Sequence, residues 1–437
     1  MADKKDYRPW TRNFRYEHEV RVLDDLDRDR PFLRPARPVL PYGNGHTYGD
    51  VCQNDKGTLI DVSKWNRVMS FQESTGVLRC EAGLTLGEIL RACSSRGWFL
   101  PVVPSTRDVT VGGAIANDIH GRNHPTCGTF GTHLRAFELL RSDGSRILAN
   151  AKENSDLFGA TIGGLGLTGI ITWAELQLKP IRSTGIVVYE RRFRGLTELF
   201  ELRRTALEKK IEFQTVWIDG LRLANPEKIE GVFVTAEHSQ DSSATPPECS
   251  ARRTGLKAEF PEWAVNRMSV AILNRTYSLL PRGESKVPYP SFFYKLDAIE
   301  GWNRMLGPNG FYQCHFVIPE DSSHAWPEIF REIHLARQVP FLVILKTLGD
   351  LPSPGWLSFP IKGLCGVVDF ANRGDKLRNL LHRLEGLIRQ AGGRIYPAKD
   401  STMSAESFQC FYPRWKELAK IKDPAFSSSF WRRVGGS

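Results

Sequence analysis

The segment Pro41-Tyr-Gly43-Asn44-Gly45-His46-Thr47-Tyr48-Gly49-Asp50 spaces glycines at alternate positions. Without side chains, successive backbone N–H groups can close on an anion such as a pyrophosphate. A second run follows: Pro104-Ser-Thr106-Arg-Asp-Val-Thr110-Val-Gly112-Gly113-Ala-Ile-Ala-Asn117-Asp-Ile-His120-Gly121-Arg-Asn123-His124. Cys127-Gly128, Gly131 and Thr161-Ile-Gly163-Gly164-Leu-Gly166-Leu-Thr-Gly169-Ile170 extend it. So many glycines in apolar surroundings imply backbone packed directly against a large flat ligand. Neither a Walker loop nor a GxGxxG opening a helix is present. Read from its neighbours alone, Lys399 is a surface lysine paired with Asp400. The eight cysteines (52, 80, 93, 127, 249, 314, 365 and 410) are widely spaced with no CxxC. They read as reduced thiols, several buried as small hydrophobes, and no metal site is expected.

The elements that hold these residues need length and a core. The 437 residues are enough for two or three domains. With 41% apolar and 25% charged residues, a disordered or collagen-like chain is excluded. No apolar run reaches the about 18 residues of a membrane span. The first residues lack the apolar stretch of a secretory signal, so the expected compartment is the cytoplasm. Net charge is +10, but Lys and Arg interleave with acids, as in Asp24-Asp25-Leu26-Asp27-Arg28-Asp29-Arg30. That pattern, with no zinc-finger spacing or RNA-binding aromatic motif, disfavours nucleic acid and favours phosphorylated or lipid-surface ligands.

Residues 36–180 carry short apolar runs with turn signals, of which Thr58–Val62, Val77–Ala82 and Gly169–Leu178 are expected strands. Thr85-Leu-Gly-Glu88 is a capping box opening a helix through about Ser95. From about 184, helices are expected at 197–210, 327–337 and 375–390. Strands are expected at Thr184–Arg191, Phe213–Ile218, Gly231–Ala236, Tyr312–Ile318, Phe341–Leu345 and Val367–Phe370. In the last helix Leu377, Leu380, Leu381, Leu384, Leu387 and Ile388 form a core stripe, with Asp375 as N-cap and Gly392 as stop. The fold class is therefore α+β, with helices packed on one sheet face in the second unit. Residues 237–292, including Trp263, Met268, Val270, Ile272 and Leu273, hold the weakest pattern and are expected to be a flexible loop or lid.

The glycine-rich segments resemble the FAD-binding domain of the vanillyl-alcohol oxidase superfamily, also called PCMH-type. Within it they look most like the decaprenylphosphoryl-β-D-ribose 2′-oxidase family. Thr110-Val-Gly-Gly-Ala-Ile-Ala-Asn-Asp-Ile-His-Gly-Arg-Asn-His124 carries the match, with Gly163-Gly-Leu-Gly-Leu-Thr-Gly169 behind it. It continues through Phe316-Val-Ile-Pro319, Leu357-Ser-Phe-Pro360 and Gly392-Gly-Arg-Ile-Tyr396-Pro-Ala-Lys399-Asp-Ser401, over nearly the whole chain. The resemblance implies an FAD-binding domain of residues 1–183 and 399–437, and an antiparallel-sheet substrate-binding cap domain of residues 184–398.

It further implies that Gly43, Asn44, Gly45, His46, Thr47, Pro104, Thr106, Gly112, Gly113, Asn117, His120, Gly121, Asn123, Cys127, Gly128, Ile170 and Tyr396 line FAD. Trp217, Gln313, Lys346 and Lys399 would face substrate. Lys399 would sit by the reacting centre, as base or as a cation stabilising an alkoxide, and Lys346 would clamp a substrate phosphate. His120 is either a flavin-stacking, pocket-lining residue with a catalytic part or a histidine satisfying backbone in a tight turn. The sequence departs from the family pattern at Val367, in place of an inhibitor-reactive cysteine, and at Cys365, in place of asparagine. His315 stands where the family often has glutamine, and Phe293-Tyr294 where it often has Tyr-His. The substrate wall, including His315, Cys365 and Val367, is thus altered.

Gly43-Asn-Gly-His46-Thr47 also resembles the GxGHS segment of aldonolactone and alditol oxidases, whose histidine is bonded to the flavin. His46 is either so bonded or a non-covalent pyrophosphate contact. The implied activity is oxidation of the 2′-hydroxyl of a polyprenylphosphoryl-ribose to the keto form. That is half of an epimerisation towards arabinose for the cell wall, completed by a short-chain reductase partner. Peripheral contact with the inner face of the cell membrane would run through residues 237–292. The alternatives are a soluble aldonolactone, alditol or other sugar oxidase using oxygen, and a non-catalytic flavin-binding subunit.

Overall fold

Antiparallel pairing dominates the computed structural model, which describes residues 5–27, 37–241, 254–256 and 258–435. The first unit holds a five-stranded sheet in the order Val68–Gln72, Val77–Glu81, Ile170–Gln177, Leu134–Leu140, Arg146–Asn150. Beside it, Glu19–Val22 and Val39–Tyr42 flank Thr58–Asp61 in a small parallel sheet. The Thr85 capping box is present: its hydroxyl accepts from the Glu88 N–H, and the Glu88 carboxylate accepts from the Thr85 N–H at 2.8 Å. The helix it opens, Leu86–Cys93, buries Leu86, Ile89 and Leu90 under the sheet.

The second unit is a fully antiparallel eight-stranded sheet. Its order is Gly283–Pro288, Gly185–Arg194, Glu230–His238, Phe213–Ile218, Pro340–Leu348, Gly363–Ala371, Phe311–Pro319, Arg394–Ile395. Side chains alternate between its faces with period two. Val216, Cys314, Phe316, Val343, Leu345, Val368 and Phe370 turn to the helices Leu196–Glu208, Trp326–Leu335 and Asp375–Gln390, forming the largest core. Their neighbours Trp217, Gln313, His315, Ile344, Lys346, Val367 and Asp369 turn the other way, toward the glycine-rich segments. The architecture is the two-part α+β fold with an antiparallel-sheet unit that the sequence led us to expect.

Two local expectations are corrected. The N-cap of Asp375–Gln390 is Gly374, and Asp375 lies inside the first turn, where it pairs with Arg378 and complements the positive helix end. The leucine stripe is core as expected, with Leu387 half-buried.

The segment 237–292 is not a single loop. The Glu230–His238 strand runs into it, and the helix Arg267–Leu279, the edge strand Gly283–Pro288 and the short helix Tyr289–Phe293 follow. The edge strand pairs along Gly185–Glu190 but is exposed at five of its six residues, so its sequence lacks an alternating apolar face. Residues 242–253 and 257 lie outside the described residues. The C-terminal helices Ala405–Phe411, Trp415–Ile421 and Ser429–Val434 add Phe408, Leu418 and Phe430 to the core beneath the large sheet. Phe426, between them, bridges to Val39 in the parallel sheet.

Candidate active site

The two units face each other across a cavity of about 560 Å³. One wall is backbone: Gly43 to Tyr48, Pro104, Thr106, and the turn and helix around Gly112, Gly113, Asn117 and His120. Thr110 opens that wall by accepting from the Gly113 N–H at 3.2 Å, capping the short helix Val111–Ala116. Asn44 fastens the first glycine segment to the second by donating to the Asp108 carbonyl at 3.0 Å. Gly45 has φ +65° and is covered by the Tyr42 hydroxyl, so a Cβ there meets both strain and a clash.

The opposite wall is made of side chains from four strands. Gln313 and His315 sit two apart on Phe311–Pro319, Lys346 on Pro340–Leu348, Val367 and Asp369 on Gly363–Ala371, and Trp217 on Phe213–Ile218. Trp217 meets Tyr277 edge-to-face at 4.7 Å. Tyr396 and Lys399 close the end between the walls: the Tyr396 hydroxyl donates to the Asn117 carbonyl at 2.8 Å, and its N–H to the His315 carbonyl at 2.8 Å.

Lys399 is half-buried on the cavity wall and does not pair with Asp400, whose carboxylate is held by Arg433 at 2.9 Å. Its Nζ lies 3.4 Å from the centre of the Tyr48 ring. Burial and the charge of Lys346 bring its pKa down to about 7. Asp369, which is buried, is pushed up to about 7 by desolvation, against the opposing pull of the Gln313 amide, which donates to it at 2.6 Å, and of Lys399. Burial also lowers the pKa of Lys346.

His120 and His315 meet edge-to-face at 5.2 Å inside a ring of Phe359 and Tyr396. Burial, and then the charge of Lys346, holds both imidazoles neutral, far below the usual histidine range. Ligand atoms of His120, His315 and Cys365 lie within 4.8 Å of one another. Lys346 and Lys399 oppose a divalent ion there, and burial keeps the Cys365 thiol protonated, with a pKa of about 12.

The other expected residues are placed differently. Gly121, Asn123, Cys127, Gly128, Ile170 and Cys365 do not line the cavity. The Asn123 amide donates to the Pro101 carbonyl at 2.7 Å, Gly128 turns the chain with φ +69°, and Ile170 packs with Val62 and Trp65. Cys365 lies beside Lys346, its partner in the strand register, on the same sheet face and is covered by its neighbours.

Three cavity residues escaped the sequence reading. Tyr48 carries Lys399, and Asp369 is Lys399's charge partner. Arg122 is a half-buried guanidinium 4.9 Å over the Phe292 ring, its pKa brought down to about 10 by desolvation. Arg122 and Tyr48 stood inside quoted motifs, whereas nothing local marks Asp369.

The wall suits FAD. Asn117 Oδ1 and both ring nitrogens of His120 are buried without a hydrogen-bond partner among the described residues, and they front the glycine wall. Comparison with known proteins agrees. Residues 32–150 match the family model described as an FAD binding domain. The chain is 32% identical to decaprenylphosphoryl-β-D-ribose oxidase of Mycolicibacterium smegmatis, over 91% of this chain and 89% of that protein. It is 27% identical to mouse L-gulonolactone oxidase, over 91% of this chain and 90% of that one. Human Δ(24)-sterol reductase is 36% identical over 24% of this chain and 20% of its own length. The chain belongs to the PCMH-type FAD-dependent oxidase family that includes decaprenylphosphoryl-β-D-ribose oxidase, and is an oxidoreductase acting on CH–OH groups.

Proposed function

We propose that the chain oxidises the 2′-hydroxyl of a polyprenylphosphoryl-ribose to the 2′-ketone, the first half of an epimerisation that a separate short-chain reductase completes. The observation that carries this reading is the half-buried Lys399, its pKa brought down to about 7, in a cavity that also holds Asp369, Lys346 and Arg122. An excess of half-buried cations lining one cavity fits a phosphorylated sugar better than a neutral one.

Lys346 and Arg122 pair with the phosphate and fix the sugar across the sheet wall. Gln313, oriented by Asp369, presents its amide to a ring hydroxyl. Lys399 as free amine takes the proton of the reacting hydroxyl, and the Tyr48 face beneath accepts the resulting ammonium. FAD, when bound, supplies the two-electron acceptor for hydride leaving the sugar carbon. Phe359, Tyr396 and the neutral His120 and His315 exclude water from that end.

The test is anaerobic bleaching of the visible flavin band on adding polyprenylphosphoryl-ribose, against free alditols and aldonolactones. Bleaching by the lipid-linked sugar alone supports the proposal. Bleaching by lactones or alditols, with hydrogen peroxide formed in air, supports a soluble sugar oxidase instead. The GNGHT segment favours that second reading, and the His46 ring stacks obliquely on Trp10 at 4.8 Å. Acid precipitation separates the two further. Flavin released to the supernatant fits the first, whereas colour kept in the pellet and absent in His46→Ala assigns a covalent bond and fits the second. A flavin that no sugar reduces would leave only a binding subunit. No helix among the described residues is long and apolar enough to cross a membrane, so contact with the inner membrane face would be peripheral.

A further inference from the structure

The helix Arg267–Leu279 is apolar on the side where a surface helix should be polar. Val270 and Asn274 turn inward, and Asn274 donates to the Asp219 carboxylate at 2.6 Å. On the opposite side Met268, Ile272 and Leu279, spaced i, i+4, i+11, make one outward row. They are 70%, 61% and 61% exposed, and Trp263, just before the helix, is 76% exposed. Four large apolar side chains within 17 residues is the density of an interaction surface, not of scattered exposure.

Charge decides what the surface meets. Arg267 and Arg275 are exposed on the same helix, and neither has an ion-pair partner among the described residues. Both also edge a cleft that holds Glu198, Asp219 and Glu230, and the nearby acids are already engaged: Glu262 with Arg373, Asp219 and Glu230 with Arg222, Glu198 with Arg191. The surface is therefore apolar in the middle and net positive. The inward side of the same helix brings Leu273, Asn274 and Tyr277 to the cavity. One helix thus separates the cavity from the outward apolar row.

We infer that Arg267–Leu279 and Trp263 form a docking surface for an anionic lipid bilayer. The apolar row enters the headgroup boundary, and Arg267 and Arg275 pair with lipid phosphates. This deepens the lipid-linked-substrate reading, because it places the cavity mouth where a lipid-borne sugar would arrive. Vesicle binding itself needs no substrate, so either idea can fail alone. Val270, within the stretch through which membrane contact was expected, is buried and takes no part.

The experiment is sedimentation of the FAD-loaded protein with phosphatidylglycerol–phosphatidylcholine vesicles at low salt. The wild type pellets with them, and pellets less with pure phosphatidylcholine or at high salt. Ile272→Asp with Leu279→Asp lowers the partition coefficient by roughly tenfold or more, and Arg267→Glu or Arg275→Glu by roughly fivefold each. Met69→Asp, an exposed apolar site on the other unit, leaves it unchanged. Retained flavin spectrum and unchanged melting temperature show that the variants are folded. Bleaching by detergent-dispersed substrate stays at the wild-type level in Ile272→Asp/Leu279→Asp. Failure of the wild type to pellet with anionic vesicles overturns the inference, as does an equal loss in Met69→Asp. A concentration-dependent dimer that the double variant abolishes, with vesicle binding unaltered, overturns it in favour of a second copy on this face.

Discussion

The two walls of the cavity are built by opposite means. The glycine wall presents backbone, and its members lie within two short stretches of sequence. The sheet wall presents side chains, and its members come from strands as far apart as Trp217 and Asp369. Backbone can line a ligand only where side chains are absent, so that wall has to be written as a contiguous motif. A side-chain wall needs only every second residue of each strand, because the alternate residues are committed to the helical core. The first wall can change little without losing the cofactor. The second can change one position at a time, and on the proposed function it is the wall that sets substrate choice.

The sharpest test of this contrast is Lys399→Met. It should lower the rate of flavin reduction by about 10²–10⁴-fold while flavin remains bound, since Lys399 belongs to the chemistry and not to the glycine wall. Loss of flavin in this variant would break the division. In the wild type the same rate should climb with pH through about 7 and level off above it. Lys399, its pKa brought down to about 7, is the protonated and inactive ammonium below that pH and the free amine above it. A rate that instead fell above pH 7 would assign Lys399 as a cation stabilising the alkoxide. Stopped-flow measurement of flavin bleaching from pH 5.5 to 9 reads both (the pH limits are roughly those over which the amine titrates).

On the other wall, Gly45→Ala should leave the Lys399 pH profile in place and weaken flavin binding by roughly tenfold or more. An L-residue at φ +65° costs about 1–2 kcal/mol, and the new Cβ meets the Tyr42 hydroxyl besides. Fluorescence titration of FAD into apoprotein measures the loss. Unchanged affinity would mean that the glycine spacing serves the fold rather than the ligand.

How much of this was legible in the sequence follows the same division. The glycine wall, the FAD and the leucine stripe of Asp375–Gln390 could be read because their signals are local and periodic. On the sheet wall, Gln313 and Lys346 came only through resemblance, since a lone polar residue in a strand looks like any other, and so did the role of Lys399, which sits in the turn Pro397–Lys399 between the walls. Asp369 was passed over because its significance is the Gln313 amide at 2.6 Å and the charge of Lys399, both far away in sequence. The helix Arg267–Leu279 was hidden for another reason. Its apolar residues lie on both faces, so neither a helical stripe nor a loop composition stands out.

Asp369→Asn tests whether that overlooked carboxylate positions Lys399's titration. Its negative form raises the Lys399 pKa, so the amide should move the midpoint of the rate profile to lower pH. It should also cost roughly tenfold in rate as Gln313 loses its charged acceptor. A merely structural role would lower the rate without moving the midpoint.

The smallest effect, and the most informative about substrate, is expected from His315→Gln with Cys365→Asn. His315 lines the cavity with its Nε2 unpartnered among the described residues, while Cys365 backs it with a protonated thiol. A glutamine at 315, oriented by an asparagine at 365, would offer the sugar more fixed hydrogen bonds than the imidazole does. The double variant should raise the preference for phosphoribosyl lipid over free lactone by roughly fivefold, the worth of about one added hydrogen bond. Because ligand atoms of the two side chains come within 4.8 Å of each other, the single variants should not add up to the double. Competition of the two substrates for one enzyme sample reads the ratio directly. A shift toward the lactone would show that these positions are tuned for a neutral sugar. Flavin affinity should be the same in all three variants, and a change in it would mean that the sheet wall also carries the cofactor.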